Sequence, residues 1–118
     1  MAEADDANKK FQKELNSGTA ALVLLSVLDA AEKPMYGYQI AKLIETKEPN
    51  LPMMKQGALY PVLRSLETGG LLESHVQPSV TGPPRRYYRI TRAGRETLAK
   101  WAEIWDVTKV FVDDFLKG

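Results

Sequence analysis

The stretch Gly57-Ala-Leu-Tyr-Pro-Val-Leu-Arg-Ser-Leu-Glu-Thr-Gly-Gly-Leu-Leu-Glu-Ser-His-Val-Gln77 changes its hydrophobic period halfway along. Leu59, Val62, Leu63 and Leu66 recur at i, i+3, i+4 and i+7, which predicts a helix from about Gly57 to Thr68 with that stripe turned inward. At about 100° per residue the opposite face holds Gly57, Pro61, Arg64 and Thr68, flanked by Tyr60 and Ser65. Pro61 is expected near the first turn, where a missing N–H costs least. Gly69-Gly70 stops the helix, with one glycine in the left-handed conformation. From Leu71 to Gln77 the period becomes two, that of a strand, and Arg86-Tyr-Tyr-Arg-Ile-Thr91 reads as its partner. Between them lies the Pro/Gly-rich loop Pro78-Ser-Val-Thr-Gly-Pro-Pro84.

Upstream, Ser17 is a suitable cap for a helix running to about Ala31, whose apolar run Leu22 to Leu28 suits burial. Residues 1–16 read as an extension or short helix with Phe11 and Leu15 as anchors. Pro34 ends the first long helix. Tyr36-Gly-Tyr38 then opens a second, with Tyr36, Ile40, Leu43 and Ile44 on one stripe and Gln39, Lys42 and Glu45 on the other side. Pro49-Asn-Leu-Pro52 is a turn that no helix crosses. Three helices followed by a two-stranded hairpin make a mainly α (α+β) chain with a winged helix–turn–helix over residues 17–91. A last helix, from about Arg92 to Leu116 with Thr91 as cap, occupies residues 92–118.

At 118 residues the chain fits one domain with a modest core. The apolar run from Thr19 to Ala31 is broken by Ser26 and Asp29 and is too short for a bilayer, so no membrane partner is expected. The acidic, polar start is unlike a signal peptide, and the absence of cysteine fits the cytoplasm. Net charge is only +1, but residues 55–100 carry eight basic against three acidic side chains. That block is the footprint of a polyanion, though charge alone equally describes a solvated basic surface.

A recognition helix needs a small, rigid outer face that enters the major groove by its N-terminal end. Gly57 and Ala58 permit close approach, and Lys55, Gln56, Tyr60 and Arg64 reach bases or phosphates. Arg85, Arg86 and Arg89 beside the hairpin loop suit phosphates or the minor groove, or else protect a strand edge by charge. An enzyme lacks its parts here. There is no Gly-rich phosphate loop, no cofactor or metal motif, and His75 sits in strand alternation as a surface or packing residue. A winged-helix adaptor without DNA binding is the alternative, separated by salt-dependent retention on duplex DNA.

Met35-Tyr-Gly-Tyr-Gln-Ile40, Gly57-Ala-Leu-Tyr-Pro-Val-Leu-Arg-Ser-Leu-Glu67, Gly70-Leu-Leu-Glu73 and Gly82-Pro-Pro-Arg-Arg-Tyr-Tyr-Arg-Ile-Thr-Arg-Ala-Gly94 together resemble the PadR family of bacterial regulators. The resemblance covers roughly residues 17–98. It implies a winged-helix DNA-binding domain, a C-terminal dimerisation helix and repression relieved by a small molecule. Tyr60 and Pro61 match the family's recognition-helix motif, and Arg85, Arg86, Tyr87 and Tyr88 its wing strand; of these Tyr60, Pro61, Arg85, Arg86 and Tyr88, together with Ala58, are expected to contact DNA. Ala58 stands where Thr is most common, so a phosphate-contacting hydroxyl is missing. A single helix after the wing is similar to the short subclass.

In that last helix Leu98, Trp101, Trp105, Thr108, Val112 and Phe115 alternate spacings of three and four, widened by Ala102, Ile104, Val107 and Phe111. So much apolar circumference is expected to form a homodimer, although folding back on the first helix would cover one stripe. Two-fold symmetry implies a pseudo-palindromic operator. Trp101 and Trp105 are either interface core or the walls of a gap for a planar aromatic effector. In drug-sensing members of the short subclass a Trp corresponding to Trp105 stacks on ligands.

Overall fold

The computed structural model describes residues 2–47 and 56–118. Its elements are α1 (Ala2–Ala30), β1 (Met35–Tyr36), α2 (Gly37–Lys47), α3 (Gln56–Thr68), β2 (Leu72–Gln77), β3 (Arg85–Ile90) and α4 (Arg92–Lys117). The core joins Ala20, Leu24, Leu25 and Leu28 of α1, Ile40 of α2, Leu59, Leu63 and Leu66 of α3, and Leu72, Tyr88 and Ile90 of the sheet. The 3.6-residue stripe foreseen for α3 is therefore the buried one. Gly57, Pro61, Arg64 and Thr68 are all exposed.

The α3 terminus follows from its two glycines. Gly70 has φ +79. Its N–H bonds the Glu67 carbonyl at 2.9 Å, and the Leu71 N–H bonds the Leu66 carbonyl at 2.9 Å, which pairs carbonyls that would otherwise be orphaned. The chain then enters β2. Strands β2 and β3 pair antiparallel from Leu72↔Ile90 to Gln77↔Arg85.

Four local expectations are corrected. First, α1 does not begin at Ser17. It is continuous from Ala2, and Ser17 lies inside it. No proline interrupts the segment, and the Thr19 hydroxyl back-bonds to the Leu15 carbonyl at 3.0 Å across the proposed start. Phe11 and Leu15 are 65% and 42% exposed and are not part of the core. Second, Tyr36 is in a strand, not in the stripe of α2. Met35 and Tyr36 add a third strand to the wing, pairing with Tyr88 and Tyr87 in the order β1-β3-β2. The open edge of β3 offers main-chain partners that an isolated helix start cannot. Third, Pro61 is the sixth residue of α3, a turn later than expected. It removes the donor for the carbonyl of Gly57, an exposed residue beside which water can take the donor's place. Fourth, Leu43 on α2 is 38% exposed and is not part of the core. The expected turn at Pro49–Pro52 lies outside the described residues.

The joint between wing and α4 is tightly specified. Thr91 caps α4, its hydroxyl accepting from the Gly94 N–H at 3.0 Å while donating to the Gly70 carbonyl at 2.7 Å. The Thr91 N–H bonds the Leu71 carbonyl at 3.1 Å. Gly94 is buried, and a Cβ there would stand 2.2 Å from the Leu71 carbonyl oxygen and 2.6 Å from Ile90 Cγ1. Beyond this joint α4 packs on α1 through Leu98 and Trp101, then runs out of core to cover. The radius of gyration is 16.2 Å, above the roughly 13.5 Å of a compact chain this long.

Gly94→Ala is expected to lower unfolding free energy by about 1–3 kcal/mol, because the obstacle is backbone and cannot swing aside. Urea unfolding with an unchanged slope checks this.

Candidate nucleic-acid interface

The outer face of α3 is made of small or polar groups because its inner face is committed to the core. Gly57, Ala58, Pro61, Arg64 and Ser65 are exposed in one continuous strip. Gln56 is the first residue of the helix. Lys55 lies outside the described residues. Tyr60 is half-buried at the edge of the strip, and its seat depends on Gly37. A Cβ on Gly37 would lie 2.8 Å from Tyr60 Cε1 and 2.9 Å from its Cζ and hydroxyl oxygen. Glycine at the start of α2 thus leaves room for the Tyr60 ring close to the backbone.

The wing arginines are adjacent in sequence but the pleat divides them. Arg85, Tyr87 and Arg89 share the outer face with Gln77, His75 and Glu73, their cross-strand neighbours. Arg86, Tyr88 and Ile90 share the inner face with Val76, Ser74 and Leu72. On the outer face the Arg85 guanidinium stands 4.5 Å above the Tyr36 ring. Tyr36 meets Tyr87 edge-on at 5.3 Å, and His75 stacks on Tyr87 at 5.8 Å. These rings form one row across the three strands. His75 is therefore a packing and surface residue, with Gln77 at 2.8 Å from its Nε2. Arg89 is paired with Glu73.

Tyr88 requires a correction as a DNA-contacting residue. It is 2% exposed and belongs to the core, since alternation turns it toward α1 and α3 while Tyr87 faces out. Burial pushes its phenol above the ordinary 10.0, and the Glu67 carboxylate pushes the same way, while Arg86 and Arg64 pull it back. On the same inner face the Arg86 Nη1 donates to Ser74 Oγ at 2.9 Å, and Ser74 Oγ donates to Glu67 Oε2 at 2.5 Å.

Between α3, the start of α2 and the wing tip lies a cleft of about 240 Å³ lined by Tyr36, Tyr38, Tyr60, Pro84, Arg85 and Arg86. Phenol rings that offer both an apolar face and a hydroxyl, next to two guanidiniums, suit a sugar–phosphate backbone. Tyr36, Gly37 and Tyr38 were not foreseen as part of this site. The Met35–Ile40 motif signalled them, but the helical reading sent Tyr36 inward.

On the far side, the residues foreseen at a dimer seam divide in two. Leu98 and Trp101 pack partly on their own core. Trp105, Val112 and Phe115 are 41%, 45% and 73% exposed, and Thr108 is exposed as well. Trp105 forms a wall of two grooves between α1 and α4. One, of about 700 Å³, is lined with Leu22, Val27, Leu43 and Leu98; the other, of about 460 Å³, with Leu15, Trp101 and Ile104. No helix among the described residues is long and apolar enough to cross a membrane.

Comparison with known proteins agrees with this layout. Residues 24–100 match the model of the transcriptional regulator PadR-like family. A PadR family transcriptional regulator from Eggerthella lenta superposes with a TM-score of 0.79 at 32% identity, over 98% of this chain and 97% of that one. A transcriptional regulator from Clostridium thermocellum gives 0.77 at 31% identity, over 86% and 97%. An uncharacterised protein of Lysinibacillus sphaericus is 33% identical over 87 residues, 74% of this chain and 80% of that protein.

Tyr88 is expected to ionise above the ordinary tyrosine range, as read by phenolate absorbance, and Glu67→Gln to bring it down. The sign for stability follows. The unfolded phenol loses its proton near 10.0 while the folded one keeps it, so this contribution is fully present below that pH and lost as pH rises beyond it.

Proposed function

The chain belongs to the PadR-like family of transcriptional regulators, and from that premise we propose a repressor that grips a pseudo-palindromic operator as a homodimer and releases it to a planar aromatic ligand. The observation that carries the DNA reading is the exposed strip of α3, with Arg64 on it, opening beside the Arg85 cleft. A strip of small residues suits close approach to a major groove, and cations beside it suit the backbone phosphates. In this reading Ala58, Tyr60, Pro61 and Arg64 contact the groove and Arg85 and Arg86 the backbone, with Lys55 and Gln56 as further contacts assigned from the sequence.

The dimer reading rests on α4. Ile104, Val107, Phe111 and Phe115 are 62–73% exposed, too much contiguous apolar surface for a solvated helix. A two-fold partner covers it at about 25 cal/mol per Å² and places two α3 helices on successive major-groove faces, roughly 10 bp apart. The ligand reading rests on Trp105. A half-exposed indole between two apolar grooves is a stacking surface, and a ligand there separates α4 from α1 and so resets the spacing of the two recognition helices.

Arg85→Ala is expected to weaken binding to all duplexes about equally and to lower the salt slope by roughly 1, whereas Arg64→Ala also changes sequence preference. Salt-titrated anisotropy with operator and random duplexes checks both, and retention that ignores salt would point to an adaptor. Sedimentation at micromolar concentration is expected to show a dimer; a folded monomer contradicts that assembly. A planar dye is expected to quench Trp emission saturably and loosen DNA, with Trp105→Ala losing the quench and keeping the dimer. If Trp105→Ala gives monomers and no dye quenches the parent, the indole is interface core.

A further inference from the structure

Arg85 lies over Tyr36 and Arg89 pairs with Glu73 on the outer face, whereas Arg86 is tied through Ser74 toward α3. Its Nη1 bonds the Ser74 hydroxyl at 2.9 Å, and that hydroxyl bonds Glu67 at 2.5 Å. A serine has a single hydroxyl hydrogen, and an arginine only donates, so the direction of the relay is settled: guanidinium to hydroxyl to carboxylate. Ser74 is the cross-strand neighbour of Tyr88, two residues farther from the wing tip than Arg86. The guanidinium therefore lies back along the strand, toward the last turn of α3 and away from the loop at 78–84.

Glu67 also has a reason to hold a cation. It stands in the final turn of α3, where the partial negative charge of the helix end disfavours a carboxylate. It is half-buried, so that charge is less screened by water than a surface one. Arg86 at the same time borders the cleft under the wing tip. The side chain thus reaches the relay while bordering the cleft, from which the wing tip is a short way forward.

We propose that Glu67 and Ser74 are positioning residues that hold Arg86 against the domain and thereby restrain binding to DNA of arbitrary sequence. The inference rests on the DNA-binding reading above. The relay uses one of the five guanidinium N–H donors, so a phosphate can still bond Arg86 where it lies, but drawing the group forward to the wing tip breaks a charge-assisted hydrogen bond, and a loosely fitted duplex with few other contacts does not offset that cost. Sequence-independent affinity, which comes almost entirely from phosphate contacts, is the quantity the relay holds down.

Ser74→Ala cuts the relay without altering charge, and Glu67→Gln leaves an acceptor for Ser74 but removes the carboxylate that draws Arg86. Binding of a random-sequence duplex is measured at several salt concentrations for the parent, both variants and each variant combined with Arg86→Ala. Ser74→Ala is expected to bind about fivefold tighter, the scale of one hydrogen bond to a charged group near water, with a salt slope steeper by about 1. Glu67→Gln is expected to fall between it and the parent. Both gains are expected to vanish in the Arg86→Ala background, which a purely structural role or a general charge effect does not produce. Circular dichroism confirms folding, and if one variant fails to fold the other decides. A parent that binds DNA while folded Ser74→Ala or Glu67→Gln gains nothing overturns the relay alone, as does a gain that persists without Arg86. A parent that binds no duplex even at low salt overturns the DNA reading and this inference together.

Discussion

Leu24, Leu25 and Leu28 of α1 press against Leu59 and Leu63 of α3, and the functional geometry hangs on that contact. Leu24, Leu25, Leu59 and Leu63 are completely shielded from water. Each such side chain is worth about 1.5–3 kcal/mol of transfer free energy, so α3 cannot rotate about its axis without exposing several at once. Locking one face of a helix inward necessarily presents the other. Gly57, Ala58, Pro61 and Arg64 are thus on show because Leu59, Leu63 and Leu66 hold the opposite face in the core.

The sheet extends the same constraint to the wing. Tyr88, Ile90 and Leu72 belong to the inner layer, and a period of two then decides the face of every other residue in β2 and β3. Arg85 and Arg86 are separated by one peptide bond yet meet different chemistry. Arg85 rests on an aromatic ring at the surface. Arg86 is drawn to a hydroxyl and a carboxylate beneath. The wing is not a simple cluster of cations, and its arginines are not interchangeable.

Helix α4 shows what happens where the core ends. Its first turns are fixed by the Thr91 cap and the close approach of Gly94 to Leu71, and Leu98 and Trp101 still find partners on α1. From Ile104 onward the apolar side chains are largely exposed, and Phe111 meets Phe115 edge-on at 4.9 Å. A chain of this length lacks the interior to receive them. In the reading proposed above, assembly and ligand binding belong to this helix, and α1, which packs on both α3 and α4, joins it to the DNA-binding side.

Periodicity alone identified α3, the hairpin and α4, because one-sided burial imprints a repeat of 3.6 or two on any segment that forms an edge of a core. The stop at Gly69-Gly70 and the cap at Thr91 were equally legible, since both depend on backbone chemistry local to a few residues. Other features were decided by groups far apart in the chain. Met35 and Tyr36 became a strand because β3 offered them an edge, and Tyr88 left the candidate interface because its register placed it opposite Ser74 and under α1. Gly37 acquired its role from Tyr60, and Ser74 from Glu67 and Arg86, pairs that only the packed molecule brings within hydrogen-bonding or van der Waals distance. Local pattern carries information about which side of an element is wet or dry. Which distant residue waits on that side is set by how the elements pack, and no period in the sequence encodes it.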